Sequence, residues 1–374
     1  MGASRHALLV VFLAQGACFA TLVSRIPALR DRYALGDLGL GLVLALVPLI
    51  AGIGSLAADR VARRRGVVPV LRVATPTVCV VLAVVAVVGS LPALVAVLAV
   101  FGLALGAADV TINAYGVAVQ RAGGRPIMSA FHAAYSLGGI LGSVTAATAA
   151  ARHLPLTAHF GAVAAAASLA CAVAGRRLSP AFEPTRRDPE AVVPRLWRRI
   201  TVVGAAMTAL FLTDSAVSNW GAGYLRDVLG APDHVAALVY GGYAAATLLG
   251  RTVGDVAVDR FGGARVAGAG GVLAAAGMSM VVTAATPATG LAGFAVVGCG
   301  LSVIAPLAFT AAGRAVPELP TAAVARVNLC VYAGFVLGAP LVGMVASLAS
   351  PRAAFAVTLV IILGVIAAAP KLGR

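Results

Sequence analysis

Apolar and polar positions alternate along this chain in long blocks. Uninterrupted apolar stretches fall at about 7–29, 38–58, 67–89, 93–119, 127–150, 156–175, 200–224, 234–256, 266–285, 289–312, 321–348 and 353–369. Each reaches the roughly 20 residues that a helix needs to cross the hydrocarbon core of a bilayer. The pattern predicts twelve transmembrane helices in an all-α membrane protein. Only turn residues separate some neighbours, as at Gly89-Ser90-Leu91-Pro92 and Ala349-Ser350-Pro351.

The polar intervals carry a second pattern. With a cytoplasmic N-terminus, 22 of the 28 basic residues fall in segments on the inward side and 6 on the outward side. Basic residues accumulate in cytoplasmic loops, so the bias predicts both termini inside. The longest polar interval, 176–199, holds four prolines and mixed charge and reads as a cytoplasmic linker between residues 1–175 and 200–374. The halves are related: Arg30-Asp31 and Asp59-Arg60 recur as Arg226-Asp227 and Asp259-Arg260, at offsets of 196 and 200. Two parallel six-helix repeats around a mid-depth site is an architecture of secondary transporters. The first stretch imitates a secretory signal, but it continues past Cys18 to Val23 and is needed for an even number of spans, so it reads as the first helix.

Composition narrows the choice of function. With 61% hydrophobic and 11% charged residues and a mean hydropathy of +0.99, the 374-residue chain leaves no room for a sizeable soluble domain. A net charge of +15 would suggest nucleic acid in a soluble protein, but here topology accounts for it. The five cysteines (Cys18, Cys79, Cys171, Cys299, Cys330) lie inside apolar runs without metal-ligand spacing and read as small buried residues. No phosphate-binding loop, zinc spacing or nucleophile elbow is present, which points away from an enzyme, a cofactor or a metal and toward transport driven by a gradient.

An ionisable group at mid-membrane depth costs at least about 2.5–3.5 kcal/mol on insertion scales and is a functional candidate by default. Two carboxylates qualify, Asp109 in the fourth stretch and Asp214 in the seventh. Removal from water disfavours the charged form of a carboxyl, the property a proton carrier needs. Asn113 follows Asp109 by one turn and Ser218 follows Asp214 in the same way, giving each helix a polar stripe. His132 is a third candidate for proton coupling. Asn219, Trp220, Asn328 and Tyr332 are candidates for contact with a polar solute, although Trp and Tyr near helix ends also anchor at interfaces. Gly102-xxx-Gly106 and Gly138-xxx-Gly142 have the spacing of closely packed helices.

The segment Ser55-Leu-Ala-Ala-Asp59-Arg60-Val-Ala62-Arg63-Arg64-Arg65-Gly66 resembles the loop signature of the major facilitator superfamily, with Ser55 and Ala62 in place of its two glycines. Gly250-Arg251 and Gly254-Asp255 before Asp259-Arg260-Phe261-Gly262 look like the same element repeated. The resemblance implies a cytoplasmic gate of Asp59, Arg60, Arg64, Arg251, Asp255, Asp259 and Arg260. A finer resemblance covers most of the chain: Ser24 to Arg30, Asp109 to Asn113, Arg125 to His132, Ser136 to Gly139, Trp220 to Asp227 and Tyr332 to Pro340 are similar to a fucose-permease-related bacterial subgroup. Gln120 and Asp214 stand where glutamates are expected there, and Asn219 where aspartate is expected.

That subgroup implies helices one, four, seven and ten around a central cavity, adding Gln15 to its lining. It also implies a carrier in the bacterial inner membrane, monomeric in the bilayer, binding a small solute and protons and no nucleic acid. The expected activity is proton-coupled uptake of a small polar solute such as a sugar. The alternative is a proton-antiport exporter of drugs or metabolites. Such exporters usually carry a Gly-Pro motif in helix five, where this chain reads Ser136-Leu-Gly-Gly-Ile-Leu-Gly-Ser143. A non-transporting receptor or scaffold on the same fold is the distant alternative.

Overall fold

A computed structural model of the chain describes residues 2–123, 128–180, 196–315 and 320–372. Among them there are fifteen helices and no strands. In chain order these are α1 (Gly2–Ser24), α2 (Ile26–Arg32), α3 (Asp37–Arg65), α4 (Val67–Val87), α5 (Leu91–Gly123), α6 (Met128–Ala151), α7 (Leu156–Arg176) and α8 (Leu196–Asp227). There follow α9 (Asp233–Ala236), α10 (Val239–Phe261), α11 (Gly263–Thr283), α12 (Pro287–Leu301), α13 (Ile304–Ala315), α14 (Pro320–Leu348) and α15 (Pro351–Leu372).

Three of the expected helices are broken in two, and proline explains two of the breaks. The first stretch divides at Arg25, ahead of Pro27 in the first turn of α2. The tenth divides between α12 and α13, where Pro306 leaves the Ser302 carbonyl without its intrahelical donor and crowds it with its ring. Eleven segments of the described residues are long and apolar enough to cross a membrane. The remaining expected stretch, 234–256, is helical as α9 and α10, but α10 carries Arg251, Asp255, Asp259 and Arg260 and falls outside that set.

The chain divides into two compact units. Unit 1 is Met1–Ala34 with Leu46–Arg186, and unit 2 is Leu35–Ala45 with Arg187–Arg374. The first turns of α3 thus group with the second half, a division that differs from the expected 1–175 and 200–374. In unit 1, α1 packs on α6 and α7, and α4 on α5 and α7. In unit 2, α8 packs on α14 and α15, and α11 on α12 and α15. Exposed Val73, Val80 and Val87 recur every seventh residue on α4, and Leu249, Val253 and Val256 are exposed on α10. Apolar faces of this kind suit contact with lipid.

Helix ends reveal the register of the repeat. α3 ends at Arg65 and α10 at Phe261; α4 spans Val67–Val87 and α11 spans Gly263–Thr283; α5 begins at Leu91 and α12 at Pro287. Each pair lies 196 residues apart. Gly66 and Gly262, also 196 apart, hold φ of 91° and 82°, a conformation glycine adopts without a Cβ penalty. Packing follows the same register. Gly138 and Gly334 each press against backbone of the first helix of their unit: a Cβ at Gly334 would lie 2.6 Å from the Thr208 carbonyl oxygen, and one at Gly138 would overlap that of Leu13. The offset of 200 read from the two Asp-Arg pairs is therefore one turn out. In register, Asp59 corresponds to Asp255, and Asp259 to Arg63.

Candidate functional site

Unit 1 carries its mid-helix acid on α5, whose residues combine strong apolar character with one polar turn. Asn113 Nδ2 donates to the Asp109 carbonyl oxygen at 2.9 Å and to Asp109 Oδ1 at 3.2 Å. The pair is local, as the one-turn spacing predicts. His132 is exposed on α6 and meets the Phe12 ring edge-on, with centroids 5.6 Å apart, while Phe12 stacks on Phe131 at 5.5 Å.

Gln15 of α1 is buried. It is 6% exposed and lines a narrow gap inside unit 1 with Val11, Thr75, Val78, Cys79, Ala108 and Cys171, and its Oε1 has no hydrogen-bond partner. Three of the cysteines meet at this place. Cys18 Sγ lies 3.6 Å from Cys79 Sγ, and Cys79 also interacts with the Cys171 thiol. Their spacings of 61 and 92 residues hide a contact made between α1, α4 and α7. Among the described residues no group of three or more His, Cys, Asp or Glu side chains is arranged to hold a metal ion.

Unit 2 carries its acid on α8. Asp214 is 14 residues after Ile200 and 13 before Asp227, about 20 Å from either end of that span at 1.5 Å per residue. Its contacts cross to another helix. The Tyr243 hydroxyl donates to the Asp214 carboxylate, and the Arg251 guanidinium lies within electrostatic reach of it. Tyr243 is buried, and Thr247 one turn on donates to its carbonyl oxygen at 2.9 Å. Arg251 is half-buried, and its Nε is enclosed without an acceptor.

Arg251 stands 12 residues into the 23-residue α10, roughly 18 Å from the Val239 end. Asp259 and Arg260 are exposed eight and nine residues further along, at the other end of α10. Sequence reasoning also passed over Tyr243. The available signal was the recurrence of Tyr243, Thr247 and Arg251 at intervals of four, one face of a helix.

Other candidates on α8 and α14 divide into packed and accessible groups. Ser218 is 2% exposed, and its hydroxyl turns back to the Ser215 carbonyl oxygen at 3.4 Å rather than extending a stripe from Asp214. Asn219 is half-buried and Nδ2 donates to Ser215 O at 2.9 Å and Ser215 Oγ at 3.2 Å. Trp220 is 6% exposed, and its Nε1 donates to the Ala339 carbonyl oxygen at 3.2 Å, which makes it a bolt between α8 and α14. Tyr332 is half-buried on α14. Asn328, one turn before it, and Asp255 are helical, and their side chains lie outside the described residues. Arg125 and most of the 176–199 linker also lie outside them. In the expected gate, Asp59 is half-buried near the end of α3, and Arg60 and Arg64 are exposed on its last turns.

Comparison with known proteins agrees with this architecture. The family model described as Major Facilitator Superfamily matches residues 202–372. An uncharacterized MFS-type transporter of Yersinia pestis is 30% identical over 370 residues, covering 98% of this chain and 94% of that protein. An uncharacterized transporter of Sinorhizobium fredii is 30% identical over 349 residues, 92% of this chain and 91% of its own. Among solved structures, the D323A mutant of the nucleoside transporter NupG superposes with a TM-score of 0.78 over 99% of this chain and 100% of that one, at 14% identity. The transporter FucP in its outward conformation gives 0.65 over 99% and 98%, also at 14% identity.

Proposed function

Because the chain belongs to the major facilitator superfamily of membrane transporters, we propose that it takes up a small polar solute together with a proton, by alternating access of its two six-helix units. The observation that carries this reading is Asp214: a carboxylate at mid-helix depth, hydrogen-bonded across helices by Tyr243 and within electrostatic reach of Arg251. A carboxyl so placed exchanges one short-range interaction set for another when it gains or loses a proton, and such a group biases a two-state element. When charged it holds Tyr243 and Arg251; when neutral it releases Arg251.

Asp109 is the second proposed coupling group, with Asn113 fixing its rotamer, and His132 the third. Asn113, Asn219, Ser218, Trp220, Asn328 and Tyr332 are the proposed solute-side residues; the burial of Ser218 and Trp220 favours Asn113, Asn219 and Tyr332 for direct contact. Gln15, enclosed in unit 1, then serves the interior of that unit. The ends of α3 and α10, with Asp59, Arg60, Arg64, Asp259 and Arg260 and the register-matched Asp255, form the proposed cytoplasmic gate. The basic-residue bias supports a plasma-membrane protein with both termini inside. The absence of proline between Ser136 and Ser143 favours uptake over drug export.

The test is solute accumulation in proteoliposomes under an imposed pH gradient, with solutes first chosen by thermal shift of the purified protein. Asp214→Asn is expected to leave a folded, inserted protein whose accumulation no longer responds to the gradient. Full gradient-driven accumulation by this variant would sink the coupling role. Stabilisation by lipophilic cations alone would move the activity to export.

A further inference from the structure

The position and state of Arg251 point to the charge of the solute. A guanidinium at the middle of a membrane helix is costly, and one that persists there has a partner or a pathway to serve. Asp214 is its partner on α8. On α10 itself Tyr243 and Thr247 precede it on the same face, and Asp255 follows one turn later. α12, packed on α10, has no charged residue. α11 has Arg265 near its N-terminal end. The Arg251 Nε is nevertheless enclosed with no acceptor.

An enclosed donor without an acceptor is destabilising, more so when charged. A planar carboxylate matches the guanidinium fork with two parallel bonds, and an acceptor of that kind would remove the deficit. Charge balance selects the same ligand. Asp214 and Arg251 together are neutral. Entry of one carboxylate with one proton placed on Asp214 keeps the locus neutral, whereas a neutral solute entering with a proton would leave Arg251 uncompensated in low dielectric.

We propose that Arg251 is the solute-binding cation of unit 2 and that the carried solute bears a carboxylate, as hydroxylated organic acids and sugar acids do. The proposal rests on the proton-coupled reading above and narrows its substrate class. Asp214 then acts by handing Arg251 from protein to solute: protonated, it frees the guanidinium; ionised, it competes with the solute for it.

The experiment is thermal shift of the detergent-purified full chain against paired compounds: glucose with glucuronate, glycerol with glycerate, and glucose 6-phosphate as the phosphate arm, at pH 5.5 and 7.5. The expected result is stabilisation by a carboxylate at a half-saturating concentration at least about tenfold below that of its neutral parent, stronger at pH 5.5. Arg251→Gln should raise that concentration by about tenfold or more, and Arg251→Lys by less, since an ammonium keeps the charge without the fork. Equal binding of the neutral parents, unchanged carboxylate binding in Arg251→Gln, response to glucose 6-phosphate alone, or no response to any carboxylate would each overturn the assignment. A neutral ligand whose pH dependence Asp214→Asn abolishes would overturn it while leaving proton coupling intact. Carboxylate binding that depends on Arg251 but is indifferent to pH and to Asp214→Asn would leave the assignment standing and remove the coupling.

Discussion

Unit 1 and unit 2 share a backbone plan and differ in where they place their chemistry. The register of 196 residues aligns Gly54 with Gly250, Gly102 with Gly298, Gly138 with Gly334 and Gly142 with Gly338, all at close helix approaches. The same register aligns Asp214 with Cys18, Tyr243 with Val47 and Arg251 with Ser55. In return, Asp109 and Asn113 correspond to Ala305 and Phe309. Neither unit repeats the other's polar group. The shared positions are those where backbones touch, because a side chain there would have to displace a neighbouring carbonyl; the positions between them are free to diverge.

The acids also differ in reach. Asp109 accepts a hydrogen bond from Asn113 on its own helix, and Asp214 is hydrogen-bonded across helices by Tyr243 with the Arg251 guanidinium within electrostatic reach. A local pair can form in an isolated helix; a cross-helix set reports on how two helices are packed, and a proton placed on it is felt by both. Helix ends diverge likewise. In unit 1 Arg72 of α4 donates to the Gly175 and Leu178 carbonyls at the C-terminal end of α7, at 2.8 and 3.0 Å. In unit 2 Arg352 of α15 donates to the Val282 and Ala284 carbonyls at the C-terminal end of α11, at 2.8 Å each. α4 corresponds to α11 and α7 to α15, so the donor and recipient helices exchange roles.

The largest effect is expected at the acids. Asp214→Asn should reduce gradient-driven accumulation to the level of downhill equilibration, and Asp109→Asn should reduce it less, because an amide there can keep its hydrogen bond with Asn113 one turn on; an equal loss in both variants would erase the distinction between the two acids. Next are the paired glycines. Gly142→Val and Gly338→Val each force a side chain toward the backbone of the first helix of their unit, where Cβ would lie 2.5 Å from the Ala17 carbonyl oxygen and 2.8 Å from that of Leu212. Each should destabilise by about 1–3 kcal/mol or more, seen as lowered thermal unfolding in detergent. A large effect in one unit and none in the other would count against a common packing plan.

The gate offers a smaller test of register. If 196 is the functional offset, Asp255→Asn should reproduce the shift toward inward-open forms expected of Asp59→Asn, and Asp259→Asn should do little. The readout is thiol labelling of introduced inner-side cysteines in an otherwise cysteine-free background, and the reverse ranking would restore the offset of 200. The smallest effect belongs to the arginine caps. Arg352→Gln, which keeps a neutral donor in place of two charge-assisted bonds, should cost about 1 kcal/mol. Arg72→Gln should cost less, because Arg72 is exposed and water can replace it. Matched losses in the two would show that exposure does not matter at these ends.

Much of the fold was legible from hydrophobic blocks alone. Periodicity and length placed the helices within a few residues, and Pro27, Pro306 and the turn at Ala237-Leu238 divided what the pattern joined. The Gly138-xxx-Gly142 spacing foretold a close crossing, which the structure places between α6 and α1. The candidate site was legible in part. Asp109 with Asn113 and the mid-helix place of Asp214 follow from spacing along one helix. The burial of Trp220 and Gln15 and the neighbours of Arg251 were not legible, because a polar atom on an apolar helix does not say which way it turns.

The sequence by itself determined a twofold helical repeat, the depth of its acids and the membrane as its solvent, because these depend on composition and on distances along one chain axis. Only the tertiary structure decided that Tyr243 and Arg251 meet Asp214, that Cys18, Cys79 and Cys171 converge, and that the repeat runs at 196 rather than 200. Each of these depends on the rotation of one helix against another. A turn of 3.6 residues allows every face to be presented, and packing alone selects one.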